Sequence, residues 1–258
     1  MGSIFYIFIF VFGLIVGSFL NCVIYRLEEK ESFLKGRSYC PKCRHKLSWL
    51  DLIPVFSFLI LRGKCRYCSS KIAIQYILVE LSTAILFLLL LLNSQNIPYL
   101  IYGTIITSFL IIIFVYDLKY YIIPDRVIFP AILAIGIWYL LASIFLNFYT
   151  RQEILNVIFS AFGTAGFFLF IILISKGKWM GLGDVKLAFL MGLFLGFPKI
   201  LLGLILAFWS GAIIGIITII LKKKKLSAEI PFAPFLVFGT LVSFFWGQEV
   251  INWYLGFL

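Results

Sequence analysis

Pro98-Tyr-Leu-Ile-Tyr-Gly-Thr-Ile-Ile-Thr-Ser-Phe-Leu-Ile-Ile-Ile-Phe-Val-Tyr-Asp117 holds nineteen residues without a charge and then an aspartate. About 20 mostly apolar residues in a helix cross the hydrocarbon core of a bilayer. The run therefore reads as a spanning helix that delivers a carboxyl group to the membrane edge. Similar runs lie near 4–25, 73–92, 127–146, 154–174, 185–197, 200–221 and 235–256, the one at 185–197 being short. The chain is 63% hydrophobic and 13% charged, with a mean hydropathy of +1.10, far more apolar than the roughly half expected of a soluble domain. The runs are continuous, not alternating, and lipid admits only structures that satisfy their own backbone hydrogen bonds, so helices are expected and barrel strands are not. The first run has no charged segment and small-residue cleavage site of the kind that marks a removed signal, and is expected to be a retained helix. The expected fold is all-α: a polytopic bundle of about eight transmembrane helices, with a first helix at 1–25, a loop domain at 26–72 and a helical core at 73–258.

The cations orient this bundle. If the loop 26–72 is cytoplasmic, alternation puts 117–126, 175–186 and 222–231 on the same side, and 20 of the 22 Lys and Arg residues then share it, leaving Arg151 and Lys199 opposite. That asymmetry is the positive-inside pattern and sets both termini outside. The net charge of +11 is thus explained by topology, with some attraction to anionic lipid. The cations follow the loops and form no separate basic domain, so nucleic-acid binding is not expected. Lys222–Lys225 reads as a stop at the membrane edge.

Cys40-Pro-Lys-Cys43 and Cys65-Arg-Tyr-Cys68 place four of the five cysteines in two C-x-x-C pairs, 21 residues apart. Two such knuckles offer four thiolates to one tetrahedral zinc ion, which closes a small domain that lacks a core of its own. Two disulfides are the competing arrangement, disfavoured on the reducing side of a membrane. No thioredoxin-like pattern surrounds either pair to suggest redox chemistry. Leu47 to Leu61 is apolar but too short to cross and contains Asp51 and Pro54, so it is expected to form the loop's core or to lie on the membrane surface. His45 reads as a solvated loop residue beside a complete ligand set, and Cys22 as a small hydrophobe in the first helix.

Acidic residues in or near spans are costly unless they have work or a partner. The candidates are Glu80, Asp117, Asp125, Asp184 and Glu249. Asp117 ends one span, Asp125 follows in Ile-Pro-Asp-Arg, and Asp184 closes Gly181-Leu-Gly183-Asp184 at the start of the short run. Two carboxyl groups brought together cannot both ionise. One can then activate water while the other donates a proton, which is peptide hydrolysis without a nucleophilic side chain or a catalytic metal. Gly181 and Gly183, lacking a Cβ, would let backbone approach a substrate and take unusual torsions. The plainer alternatives are that Asp125 and Asp184 cap helices and that Asp117 pairs with a nearby cation. Glu80 could be a polar contact between helices or part of a site, and Glu249 reaches water. The single histidine sits in the cysteine loop, so a serine protease lacks its base, and neither H-E-x-x-H nor a glycine-rich phosphate loop is present.

These residues together resemble the bacterial type IV prepilin peptidase/N-methyltransferase family. The resemblance is carried by Gly17-Ser-Phe-Leu-Asn-Cys-Val-Ile-Tyr-Arg-Leu27, the two cysteine pairs, Trp49-Leu-Asp-Leu-Ile-Pro54, Leu61-Arg-Gly63, Tyr76-Ile-Leu-Val-Glu80, Asp117 with Ile-Pro-Asp125, and the G-x-G-D-x-K string ending at Lys186, all in the family's order over about 13–190. The resemblance implies a membrane aspartic endopeptidase with Asp117 and Asp184 as its catalytic pair, supported by Gly181, Gly183, Lys186 and Glu80. It implies cleavage after a glycine, between the basic leader and the apolar helix of type IV prepilins and pseudopilins. It also implies methylation of the new N-terminus from S-adenosylmethionine, for which no motif is readable here. The setting implied is the bacterial cell membrane with the loop cytoplasmic. Cys22 and His45 depart from the expected pattern. Presenilin-type proteases and archaeal preflagellin peptidases resemble the aspartate motifs but lack the cysteine loop. A carrier would place its acids near mid-membrane, with repeated halves as a further mark, and a zinc-loop scaffold would need no aspartate pair.

Overall fold

The computed structural model describes residues 3–32, 36–94, 96–146, 148–221 and 230–256. Each apolar run becomes a helix: α1 (Ser3–Glu28), then a short α2 (Phe56–Ile60) in the loop, α3 (Gln75–Asn93), α4 (Ile97–Tyr120), α5 (Asp125–Ile144), α6 (Arg151–Ser175), α7 (Leu182–Leu195), α8 (Lys199–Ile220) and α9 (Ala233–Leu255). Polar signals set their ends. Pro124 stands immediately before α5. Thr150 and Glu153 close a reciprocal box at the start of α6, the Thr150 amide donating to Glu153 Oε2 at 2.7 Å and the Glu153 amide to Thr150 Oγ1 at 3.3 Å. Lys176 and Gly177, at φ 51° and 74°, unwind its far end.

Among the described residues seven helices, not eight, are long and apolar enough to cross a membrane. The exception is α7, whose 14 residues reach only about 21 Å. Protein accommodates its shortness: α7 packs against α5, α6, α8 and α9, and Leu187, Ala188, Leu190 and Met191 are fully buried. The basic run Lys222–Lys225 lies outside the described residues.

The chain forms two compact units, 1–112 and 113–258. In the first, α1 lies directly on α3. A Cβ on Gly13 would sit 2.6 Å from Ala84 Cα, and one on Gly17 would sit 2.7 Å from Glu80 Cα. Helix association in lipid depends on such close backbone packing, since apolar burial drives nothing there. In the second unit Gly192 brings α7 against Ala161 of α6, and Gly239 brings α9 against Gly203 of α8 in the same way. The apolar stretch between the cysteine pairs forms no span: it breaks into a 3-10 turn at Trp49–Leu52 and then α2.

Candidate active site

In the second unit, Asp117 lies in the last turn of α4 and is buried. Its Oδ2 accepts a hydrogen bond at 3.2 Å from the amide of Ala233, the first residue of α9. That amide is one of the donors a helix start leaves without an intrahelical acceptor. Asp184 is the third residue of α7, and its Oδ2 accepts at 3.2 Å from the amide of Gly181, the residue before the helix. Gly181 has no side chain to return the bond, so only the carboxylate half of a capping box exists. The Asp117 charge acts directly on Asp184. Each acid therefore has one oxygen fixed by a backbone amide at a helix start, and the two lie within electrostatic reach of one another.

Neither Asp125 nor Asp184 occupies the N-cap position of its helix, contrary to the plainer expectation, although the Asp184 carboxylate does bind the N-cap amide. Pro124 stands before α5, with Asp125 as its first residue, and Gly181 stands before α7. Among the described residues Asp117 has no ion-pair partner; the backbone of α9 takes that place. Asp125 instead pairs with Lys186 one turn into α7, whose ammonium also lies 5.2 Å from the centre of the Phe129 ring. The string from Gly181 to Lys186 thus serves two ends at once, Asp184 toward Asp117 and Lys186 toward α5.

The two glycines differ. A Cβ on Gly183 would come within 3.2 Å of Ile123 Cβ, so the first turn of α7 is packed onto the chain leading into α5. Gly181 is exposed with ordinary extended torsions, φ −89° and ψ 158°, and a Cβ there would meet nothing closer than 3.9 Å. The torsional freedom expected of it is not used. The Ala233 amide has no signature of its own in the sequence. Its one trace is Pro231-Phe-Ala-Pro234, where a proline within the first turn marks a helix start.

Glu80 belongs to the first unit. It is 7% exposed, and its Oε2 accepts from the Val55 amide at 2.7 Å. Val55 is held at φ 63°, a strained setting for a β-branched residue.

The cysteine loop, also in the first unit, is built from two turns of the same design. The Cys40 amide donates to His45 O at 3.0 Å and the Arg44 amide to Cys40 O at 2.8 Å; the Cys65 amide donates to Ser70 O at 2.8 Å and the Ser69 amide to Cys65 O at 2.9 Å. Arg44 and Ser69 turn the chain at φ 54° and 55°. The four sulfurs all lie within 4.8 Å of one another, with Cys40 and Cys68 3.9 Å apart. Tetrahedral zinc with Zn–S of about 2.3 Å needs sulfurs about 3.8 Å apart. The cluster therefore fits a single metal ion. Ser70, through its hydroxyl and then its amide, holds the Cys68 thiol down at about 6, toward the thiolate a metal requires. Asp51 ties the segment between the pairs to the second turn. Its carboxylate accepts from the Ser48 hydroxyl and amide at 2.8 and 3.0 Å, from Arg66 Nε at 2.7 Å and from the Tyr67 hydroxyl at 3.2 Å. His45 lies against the Tyr67 ring, 3.7 Å between centres.

Residues 11–94 match the model of the bacterial peptidase A24 N-terminal domain, and residues 104–216 match that of the type IV leader peptidase family. The chain is similar to proteins named prepilin leader peptidase/N-methyltransferase. One from Legionella pneumophila is 30% identical, covering 98% of this chain and 95% of the relative. One from Xanthomonas campestris pv. campestris is 32% identical, covering 95% and 92%, and one from Bacillus subtilis (strain 168) is 29% identical, covering 96% of each. No solved structure matches the chain.

Proposed function

Because the chain belongs to the bacterial type IV leader peptidase family, we propose that it cleaves the basic leader from type IV prepilins and pseudopilins after a glycine and N-methylates the residue so exposed, with Asp117 and Asp184 as the hydrolytic pair. The observation that carries the assignment is geometric: two carboxyl groups at the ends of α4 and α7, each with one oxygen already fixed by a helix-start amide. Two carboxyl groups brought together on substrate binding favour a single shared proton. The ionised carboxylate takes a proton from water as the water oxygen adds to the scissile carbonyl carbon, and the protonated partner donates to the carbonyl oxygen. Collapse of that adduct breaks the C–N bond: the proton held by the first carboxyl passes to the departing amine, and a hydroxyl of the adduct returns its proton to the second carboxylate as the new acid forms. The backbone amides from Gly181 and Ala233 orient the acids through the cycle. Lys186, paired with Asp125, and Gly183, packed on Ile123, position α7 for the reaction.

The parts of this machine are a first transmembrane helix at 1–25, a metal loop at 26–72 and a peptidase core at 73–258. The bias of Lys and Arg supports the loop and both aspartates at the cytoplasmic face of a bacterial membrane, with α7 as the short eighth crossing and the termini outside. Cys40, Cys43, Cys65 and Cys68 hold a structural zinc ion, which would close the loop domain by fixing four thiolates. The methyl donor is S-adenosylmethionine, to which no side chain of this chain is assigned.

The test is processing of a prepilin by membranes carrying Asp117→Asn or Asp184→Asn. Each variant should accumulate normally and leave the leader uncut; mature pilin at the wild-type rate from either one overturns the assignment. Mass spectrometry of the processed N-terminus reads the second activity, an unmethylated amine in wild type counting against it.

A further inference from the structure

The segment between the cysteine pairs is amphipathic in the reverse sense. Its one acid, Asp51, points inward, its side chain only 3% exposed and bound to Arg66. Phe58 packs inward on Gly63. The outward surface is apolar: Trp49, Leu50, Leu52, Phe56, Leu59 and Ile60 are 40 to 74% exposed. Six large apolar side chains within a dozen residues, with no charge among them, form a contiguous surface that water does not favour. Cations border it on both sides, Arg44 and Lys46 before and Arg62 and Lys64 after, all exposed.

The depth of this surface is set by Glu80. That residue lies five positions into α3, about 7.5 Å along the helix axis, and a glutamate side chain leans back toward the helix start. Its carboxylate holds the Val55 amide at 2.7 Å, at the midpoint of the apolar surface. Val55 keeps its strained φ of 63° there, as backbone does only where surrounding contacts fix it. A segment bonded to a spanning helix within that helix's first turns sits at the level where interfacial helices bury their apolar faces, about 5–10 Å into the boundary of headgroups and acyl chains.

We infer that Trp49–Ile60 is a membrane-inserted wedge of the metal loop. Its outward side chains pack among the upper acyl chains, the flanking cations meet anionic headgroups, and Glu80 is the tether that holds it down. The occupant of this face is lipid. The wedge rests on the membrane-spanning character of α1 and α3, not on the proposed chemistry.

The experiment uses the full chain in vesicles of phosphatidylcholine and phosphatidylglycerol, with Ile60 replaced by a diazirine-bearing leucine analogue. After irradiation the adducts are identified by mass spectrometry, with the same analogue at Lys46 as the aqueous control. Acyl-chain adducts should dominate at position 60 and water adducts at 46. Glu80→Ala should lose the lipid adducts, and Glu80→Gln, which keeps an accepting oxygen, should retain them. Should the analogue at 60 fail to accumulate, positions 56 and 59 report the same face. Water adducts at 60 equal to the control overturn the inference. So do adducts to a second copy, or lipid adducts displaced by an added prepilin, which would make the face a protein-docking surface.

Discussion

The cysteine loop and the carboxyl pair are both built by fixing side chains with backbone amides, yet they draw on different ranges of the chain. In the loop each turn closes over five or six residues, Cys40 to His45 and Cys65 to Ser70, and the two turns meet directly, His45 on Tyr67 and Cys40 beside Cys68. At the carboxyl pair Asp117 takes its hydrogen bond from Ala233, 116 residues away, and acts on Asp184, with α5 and α6 lying between them along the chain. A site of the first kind is held by its own local sequence and offers four sulfurs to a metal ion. A site of the second kind is held by helix packing in the unit around it, with α7 buried at the centre.

If that contrast is right, the loop should fail all at once. Serine in place of any one of the four cysteines should abolish stoichiometric zinc, whose binding to such sites is worth about 10–16 kcal/mol at neutral pH. Amides from Tyr39 to Lys71 should then exchange freely, and a chelator should have the same effect on wild type. Retained zinc in such a variant, measured by elemental analysis, would break the loop half of the comparison. The carboxyl pair should be sensitive to a donor far away in sequence. Ala233→Pro removes the amide that Asp117 accepts from and should slow cleavage about 10²-fold, with unchanged zinc content and membrane accumulation as the check that the chain still folds. An unchanged rate would mean that the α9 amide does not position Asp117.

The same contrast explains which features are legible in the amino-acid sequence and which are not. Each spanning helix is legible because lipid demands long apolar runs, and Leu182–Leu195 stands out as the weak one. Its shortness is permitted by the four helices that enclose it, and nothing in a linear string reports that enclosure. The cysteine ligands are legible because their spacing is local. Asp51 shows only as an obstacle to a span, since its partners Arg66 and Tyr67 meet it through the turn. Asp117 and Asp184 can be nominated from their place at span ends and from their motif. Ala233 cannot, because an amide has no residue type, and the Asp125–Lys186 pair is hidden because it joins helices 61 residues apart.

Asp51→Asn sharpens the account of the loop. Burial acts to raise the Asp51 carboxyl, but Ser48 and Arg66 outweigh it and hold the group below the usual carboxylate range. A depressed value contributes stability above about pH 4, and that stability is lost as the pH falls through the folded-state value. The variant should therefore lose about 1 kcal/mol of loop protection at neutral pH, and the deficit should close in acid; a deficit that grew on acidification would reverse the sign. The smallest expected effect separates the two glycines. Gly183→Ala, pressing on Ile123 at 3.2 Å, should cost about 1 kcal/mol in stability and slow cleavage measurably. Gly181→Ala, opening onto free space, should change neither, and an equal response from both would mean that a closer backbone approach at 181 matters after all.

The most direct test of the carboxyl pair as one unit is a double-mutant cycle on prepilin cleavage with Asp117→Asn, Asp184→Asn and both together. Groups that share one proton act together, so either single change should remove nearly all of the rate and the double variant should be no slower than the singles. Two partial losses that simply multiply in the double variant would show that the aspartates work independently, and would contradict the account.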